Sequence, residues 1–249
     1  KAASVRGESR VLGIRQKDPG RACDRIGGPT PEPEDGRMGR DYDQHRHDHD
    51  KGIRRKLRWL VRFPKFWQSP INRAVVDLAA PVPGERALDV GAGMGPATVL
   101  AARRGASVVA VDPSRFMRVI LGLRRQGQRN PSRITVEAGA AEDLPLAGGS
   151  IEVAFTVNAI HHWTDLEAAV DELARVLAPR GRALLVDEDF THPDHPQHET
   201  HHDHEQEMTV VDVEAIATMF RGVGLDATGE RTFLAAVPVK VIRATRAGA

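Results

Sequence analysis

The chain has 249 residues, 41% hydrophobic but only 4% aromatic, which suits one α/β core packed mainly with Ala, Val and Leu, plus extra segments. Basic and acidic residues nearly balance at 35 and 34, for a net charge of +1, and that argues against a surface built throughout for nucleic acid. Cys23 is the single cysteine, so an intrachain disulfide and an all-cysteine zinc site are both excluded.

No apolar run reaches the roughly 18 residues of a membrane span, and no signal-peptide core stands in the first forty residues, so a cytoplasmic protein is expected. Residues 1–50 lack a hydrophobic period and carry Gly27-Gly-Pro-Thr-Pro-Glu-Pro33, so they are expected to stay disordered. Met38-Gly-Arg-Asp begins a more ordinary sequence, and residues 1–37 are expected to lie outside the native product. His45-Arg-His-Asp-His-Asp50 alternates imidazoles and carboxylates, a pattern read here as a solvated polar run. Residues 51–82 form a basic helical segment. Its first part, Lys51 to Trp67, carries seven cations and no acid, with Ile53, Leu57, Leu60 and Val61 on one helical face. Such a helix suits weak contact with an anionic membrane surface. Ile71 to Ala80 reads as a short amphipathic helix.

Residues 83–249 hold the main domain. The stretch Arg86-Ala-Leu-Asp-Val-Gly-Ala-Gly-Met-Gly-Pro-Ala-Thr98 reads as a buried strand turning tightly into a helix that starts near Pro96. Gly91 and Gly93 allow backbone to approach a ligand where a Cβ would clash, and the helix aims its N–H groups at the same place. Ser107-Val-Val-Ala-Val-Asp112 is a second strand with an acid at its tip, placed to accept ribose hydroxyls. Two ligands fit this pattern, a nicotinamide dinucleotide and S-adenosylmethionine. The dinucleotide spacing G-x-G-x-x-G requires a small residue at 96, and Pro96 stands there.

Phe116 to Arg125 reads as a helix with Met117 and Ile120 inward, Ile134 to Glu137 as a third strand and Ile151 to Thr156 as a fourth. Thr164 and Glu167 read as a capping box, with Leu166, Val170, Leu173 and Leu177 on the buried face of the helix that follows. Ala183 to Asp187 is a fifth strand. His192 to His204 holds six of the eleven histidines, with His198/His202 and His201/His204 spaced to share a helix face; the favoured reading is an exposed insertion that binds no metal. After a helix over Val210 to Arg221, Leu225 to Phe233 and Val237 to Thr245 read as strands too close for a parallel crossover.

Leu88-Asp-Val-Gly-Ala-Gly-Met-Gly95, Val109-Ala-Val-Asp-Pro-Ser114, Ala140-Ala-Glu-Asp-Leu-Pro145 and Asn158-Ala-Ile-His-His-Trp163 together resemble the class I S-adenosylmethionine-dependent methyltransferases. The likeness is strongest to the small-molecule branch typified by the ubiquinone/menaquinone C-methyltransferases. The resemblance implies a doubly wound, Rossmann-like seven-stranded sheet of order 3-2-1-4-5-7-6 with an antiparallel last strand. It implies S-adenosylmethionine as cofactor, a small-molecule O, N or C nucleophile as acceptor, no nucleic-acid partner and no obligate protein partner. It also suggests that the basic segment serves as a lid. Cofactor contacts are expected at Asp89, Gly91, Ala92, Gly93, Asp112 and Pro113. Ala141 and Glu142 would meet adenine through their backbone N–H groups, and Asn158 would meet the methionine end. His161 or His162 is the candidate base. Relatives usually carry aspartate where Ala140 stands, so weaker adenine selection is expected. The alternatives are a non-catalytic or metal-responsive protein on the same fold, and a NAD-dependent oxidoreductase.

Overall fold

The computed structural model describes residues 69–196, 198 and 209–248. The expected disordered arm, the basic helix over 51–67 with its lid role, the polar run at 45–50 and the His201/His204 pair all lie outside the described residues.

Helix α1 (Pro70–Ala79) opens on a proline, whose missing N–H costs nothing in a first turn, and buries Ile71, Val75, Val76 and Ala79. Its last carbonyls, which no helix residue can satisfy, accept from the Arg182 guanidinium: Ala79 O at 2.9 Å and Ala80 O at 2.8 Å. Strand β1 (Arg86–Val90), helix α2 (Pro96–Arg103), β2 (Ser107–Asp112), helix α3 (Arg115–Gln126) and β3 (Ile134–Ala138) follow in strict alternation. Then come β4 (Ile151–Val157), α4 (Leu166–Val176), β5 (Leu177–Glu188), α5 (Val213–Gly222), β6 (Leu225–Leu234) and β7 (Val237–Arg246).

The seven strands form one sheet in the order β3-β2-β1-β4-β5-β7-β6, as the resemblance implied. Strands β1 to β5 pair in parallel, while β7 runs antiparallel to both β5 and β6. Parallel strands buried on both sides need apolar residues at nearly every position, and Ala87, Leu88, Val90 and Val108 to Val111 supply them. One face of the sheet packs under α4 and α5 through Leu88, Val109, Leu173, Leu185, Ile216 and Phe220. The other face packs under α1 and α2 through Val75, Val76, Val99, Val153, Phe155 and Val241. Among the described residues no helix is long and apolar enough to cross a membrane.

Four local expectations are corrected. The inward residue of α3 is Leu121, with Met117 and Ile120 only half-buried, because Leu121 fills the space left where Gly95 has no side chain. The cap of α4 is Asp165, which accepts from Ala168 N at 3.0 Å; Thr164 instead donates to Glu142 from both its N–H and its hydroxyl. Leu177 belongs to β5, which starts at once and passes through Pro179-Arg-Gly181 with a register shift against β4. Helix α5 starts at Val213 rather than Val210, since Asp212 caps it by accepting from Glu214 N and Ala215 N. The β6–β7 turn consists of Ala235 and Ala236, both left-handed with φ of 49° and 63°.

Candidate functional site

Buried polar side chains gather at the carboxyl ends of the strands, where an open α/β sheet binds its ligands. Asp89 near the end of β1, Asp112 at the end of β2 and Asp187 near the end of β5 are all buried. Val90 pairs with Val111, so the turn that leaves β1 starts beside the tip of β2.

That turn is held to β2 by its own amides. Gly91 N and Ala92 N both donate to Val111 O, at 2.9 and 3.1 Å, and Gly95 N donates to Ala92 O at 2.8 Å. Gly93 N donates to Asp112 Oδ2 at 2.7 Å, and Ser114 N donates to Oδ1 at 2.9 Å. The sequence reading took Gly91 and Gly93 alike as openings for a ligand, and the structure separates them. Both have positive φ, but a Cβ on Gly91 would lie 2.5 Å from Ala159 Cβ, while a Cβ on Gly93 would meet nothing within 4 Å. Gly91 therefore makes room for the loop after β4, and Gly93 is the open face.

Helix α3 braces the same turn from outside. Arg118 Nη1 donates to Asp112 O and to Pro113 O, both at 2.7 Å, and Arg124 Nη1 donates to Met94 O at 3.2 Å. Burial pulls the Arg124 guanidinium down to about 10, with the charge of Arg103 adding to it. Neither arginine was singled out in the sequence, because their partners are backbone carbonyls on another element.

Asp89 is 2% exposed and accepts from Thr98 Oγ1 at 2.5 Å. Burial raises its carboxyl to about 7 against the Thr98 hydrogen bond, and the like charge of Asp112 adds to the rise. Burial also raises Asp112, opposed by the amides of Ser114 and Gly93 and by Arg118. The turn thus offers a ligand two carboxylates whose ionisation burial resists.

At the tips of β4 and β5, Asn158 adopts a left-handed conformation with φ of 55°. Its side chain is committed to β5: Nδ2 donates to Glu188 Oε1 and Oδ1 accepts from Glu188 N, both at 2.7 Å. Glu188 Oε2 in turn pairs with Nε2 of the buried His195 at 3.0 Å. Asp187 Oδ1 accepts from Ile160 N at 3.2 Å; its Oδ2 accepts from His161 N at 3.1 Å and lies 2.6 Å from His161 Nδ1. His162 is exposed and its ring lies 4.1 Å from that of His161.

The loop expected to grip adenine turns sharply from Ala140 to Asp143, whose N–H donates back to Ala140 O at 3.2 Å. Ala141 packs its methyl into the core, and the Glu142 carboxylate serves Thr164 and Asp165. Two clefts lie apart from the glycine turn. One runs past Arg86 and Ser107 at the amino ends of β1 and β2, and the other lies beyond Asp189 between His192, Arg231 and Phe233.

Residues 88–185 match the family model of a methyltransferase domain. An uncharacterised methyltransferase of Mycobacterium tuberculosis, Rv3342, is 38% identical over 111 residues, 45% of this chain and 43% of the relative. A demethylmenaquinone methyltransferase of Renibacterium salmoninarum is 36% identical over 122 residues, 49% of this chain and 48% of the relative. The chain thus spans about half the length of the curated relatives it matches. The solved phosphoethanolamine N-methyltransferase 2 of Haemonchus contortus, in complex with phosphomonomethylethanolamine and S-adenosylhomocysteine, superposes with a TM-score of 0.59 at 17% identity. The overlap covers 71% of this chain and 52% of that one, and shows a shared fold. The glycine turn, the sheet order and these matches agree: the chain has the fold of the class I methyltransferases, and over residues 88–185 it is similar to their methyltransferase domain.

Proposed function

We propose that the domain binds S-adenosylmethionine between the glycine turn and Asp112 and catalyses transfer of its methyl group to a small-molecule O, N or C nucleophile. One observation carries the choice of cofactor. Four amides of the turn, at Gly91, Ala92, Gly93 and Gly95, are spent within the protein, and the charged groups that adjoin it are the buried carboxylates of Asp89 and Asp112. A pyrophosphate needs free N–H donors, so this turn suits a dinucleotide poorly. A ligand that carries cationic sulfonium and ammonium groups and a ribose suits it well.

The residues present fit that ligand. Each Asp112 oxygen accepts one amide and keeps a lone pair for a ribose hydroxyl. Asp89 lies where a water-linked contact to the amino group is expected, and a cation there would favour its ionised form. Gly93 leaves its open side to the ligand, with Ala92 and Pro113 lining the same bend. Backbone N–H groups at Ala141 and Glu142 serve adenine without the carboxylate that Ala140 lacks. Asn158, its side chain committed to Glu188, contributes to the methionine end through its backbone. When bound, the cofactor supplies a sulfonium-activated methyl group. The protein's task is therefore to hold the acceptor in line and close, and to exclude water. The relatives named for menaquinone methylation support a small-molecule acceptor, and the lone cysteine supports a reducing, cytoplasmic setting.

Isothermal calorimetry with S-adenosylhomocysteine, S-adenosylmethionine and NAD tests the reading. Uptake of the first two, lost in Asp112→Ala, is the expected result. Binding of NAD alone would reverse the choice. A non-catalytic role rests on the absent carboxylate at Ala140, and tight S-adenosylmethionine binding in Ala140→Asp but not in the wild type would favour it.

A further inference from the structure

We infer that the cleft beyond Asp189, where His192, Arg231 and Phe233 meet, is a subsite for an oxyanion on the acceptor, a carboxylate or a phosphate carried at one end of an apolar body. The inference rests on the methyl-transfer reading and narrows its acceptor to a class.

The cleft encloses about 240 Å³, and its polar edge is made of donors. Arg231 is 61% exposed at its side chain. Its Nε lies 3.8 Å from Asp189 Oδ2, too far for a full hydrogen bond, and among the described residues nothing accepts from its two Nη groups. His192 Nδ1 accepts from Asp194 N at 3.1 Å, so the ring proton sits on Nε2 and makes that nitrogen a donor. The same ring stands edge-on to Phe233, with centroids 5.3 Å apart, and Phe233 is 51% exposed. A guanidinium fork and an N–H beside an open aromatic face suit a ligand that is anionic at one end and apolar along its length.

The charge behind these donors favours an anion. Lys240 Nζ lies 3.5 Å from Asp189 Oδ1, with only 11% of the lysine side chain exposed. Burial works against the Asp189 charge, but the Thr191 hydroxyl and the charges of Lys240 and Arg231 hold its carboxyl below the usual value. One ionised carboxylate thus stands against two cations. Asp194, whose carboxylate lies 3.9 Å from the Nδ1 side of His192, is 75% exposed, and solvent screens it.

Strand register ties the cleft to the methyl-transfer site. Asp187 pairs with Lys240, and Lys240 pairs with Arg231, so all three stand on one rung across β5, β7 and β6. Paired residues share a face of the sheet, which puts both cations on the side where Asp187 meets His161. The turn that Asp187 holds also contains Ala159, against which Gly91 packs. From β6 to β4 is three strand spacings, roughly 14 Å, and the arginine side chain spans part of that gap. An acceptor anchored here by its oxyanion would therefore present its nucleophile from the far end of its body. Contacts so distant from the reacting atom act by fixing its position, and no bond is made or broken in the cleft.

Ligand-observed NMR on the full chain tests this with three probes of one shape: 4-phenylbutyrate, 3-phenylpropyl phosphate and the neutral 4-phenylbutyramide. At least one anion should bind roughly tenfold more tightly than the amide, and the tighter of the two names the oxyanion. Its affinity should fall roughly tenfold in Arg231→Gln, with circular dichroism unchanged, and stay as it is in Arg180→Gln, an exposed arginine near the amino end of β5. Equal binding of the amide, or a loss that is the same in both variants, overturns the inference. With S-adenosylhomocysteine also bound, Overhauser effects between the phenyl ring and the protons beside the cofactor sulfur should appear in the wild type and vanish in Arg231→Gln. Anion binding without those effects would separate the cleft from the acceptor and overturn the inference too. Failure of S-adenosylhomocysteine to bind at all would sink the cofactor reading instead, and the titrations would still decide whether the cleft selects an oxyanion.

Discussion

Replacing Asp89 with asparagine should stabilise the protein in mild alkali while weakening its hold on the cofactor. Asp89 is 2% exposed, and burial, with the like charge of Asp112 adding to it, lifts its carboxyl from 3.8 to about 7. In the unfolded chain the group ionises near 3.8, so between these values the folded state holds the extra proton. The contribution of Asp89 to stability is thus fullest below the unfolded value and is lost as pH rises through the folded one. At 1.36 kcal/mol per unit the full loss is about 4 kcal/mol as an upper bound, of which roughly 2–3 kcal/mol falls between pH 5 and pH 8. Asparagine carries no charge at either pH and keeps an acceptor for Thr98 Oγ1. Urea denaturation of both proteins at the two pH values isolates this group, since other titrations are shared. The stability of Asp89→Asn relative to wild type should rise by roughly 2–3 kcal/mol on going from pH 5 to pH 8. An equal difference at the two pH values would refute the account of a buried, protonated carboxyl.

The two glycines should part company under substitution. Gly91→Ala, which drives a Cβ into Ala159, should cost about 2–4 kcal/mol, whereas Gly93→Ala should cost about 1 kcal/mol yet lower S-adenosylhomocysteine affinity, as denaturation and calorimetry together would show. Asp112→Ala removes both amide anchors of the turn and the ribose acceptor, and should reduce that affinity roughly 100-fold. Ala235→Asn with Ala236→Gly relieves two left-handed alanines in the β6–β7 turn and should raise stability by about 1–2 kcal/mol by chemical denaturation. Arg182→Met frees the end of α1 and should cost about 1–2 kcal/mol near neutral pH. Arg182 holds Glu85 below its usual 4.5, so their pairing stabilises above that value and is lost as pH falls through the lowered folded value, where the gap between variant and wild type should narrow to the part owed to the α1 carbonyls.

The sheet order was legible only through the family resemblance, whereas the strands and the glycine turn were legible because their signals are local. An apolar run, a glycine bend and a proline-opened helix between residues 86 and 103 name their own conformations, and the acid at 112 follows one strand later. What sequence could not show was which groups the fold would consume. Glu142 was read for its backbone N–H and Asn158 for the methionine end, and nothing local showed that their side chains join elements to each other: Glu142 to the start of α4, Asn158 to Glu188 at the end of β5. Asp187 stands 26 residues from His161, and only the parallel pairing of β4 with β5 brings them together. The misplaced cap at Thr164 has the same origin, since its hydroxyl found a better partner in Glu142 across the chain than in its own helix. Local chemistry proposes candidates for each hydrogen bond, and tertiary competition decides among them.

The ends of the histidine-rich stretch have a practical consequence. On entry, His195 is pinned to Glu188, and His198 donates to His195 O from its backbone while its ring meets Phe190 O at 3.1 Å. On exit, Thr209 is fastened to His161 O by its N–H and to Trp163 O by its hydroxyl. His198 and Thr209 are thus each tied beside the strand tips that carry Asp187 and Glu188. Loosening either tie, as in Thr209→Ala, would release a clamp on the turn at His161 and Trp163 without touching the sheet itself.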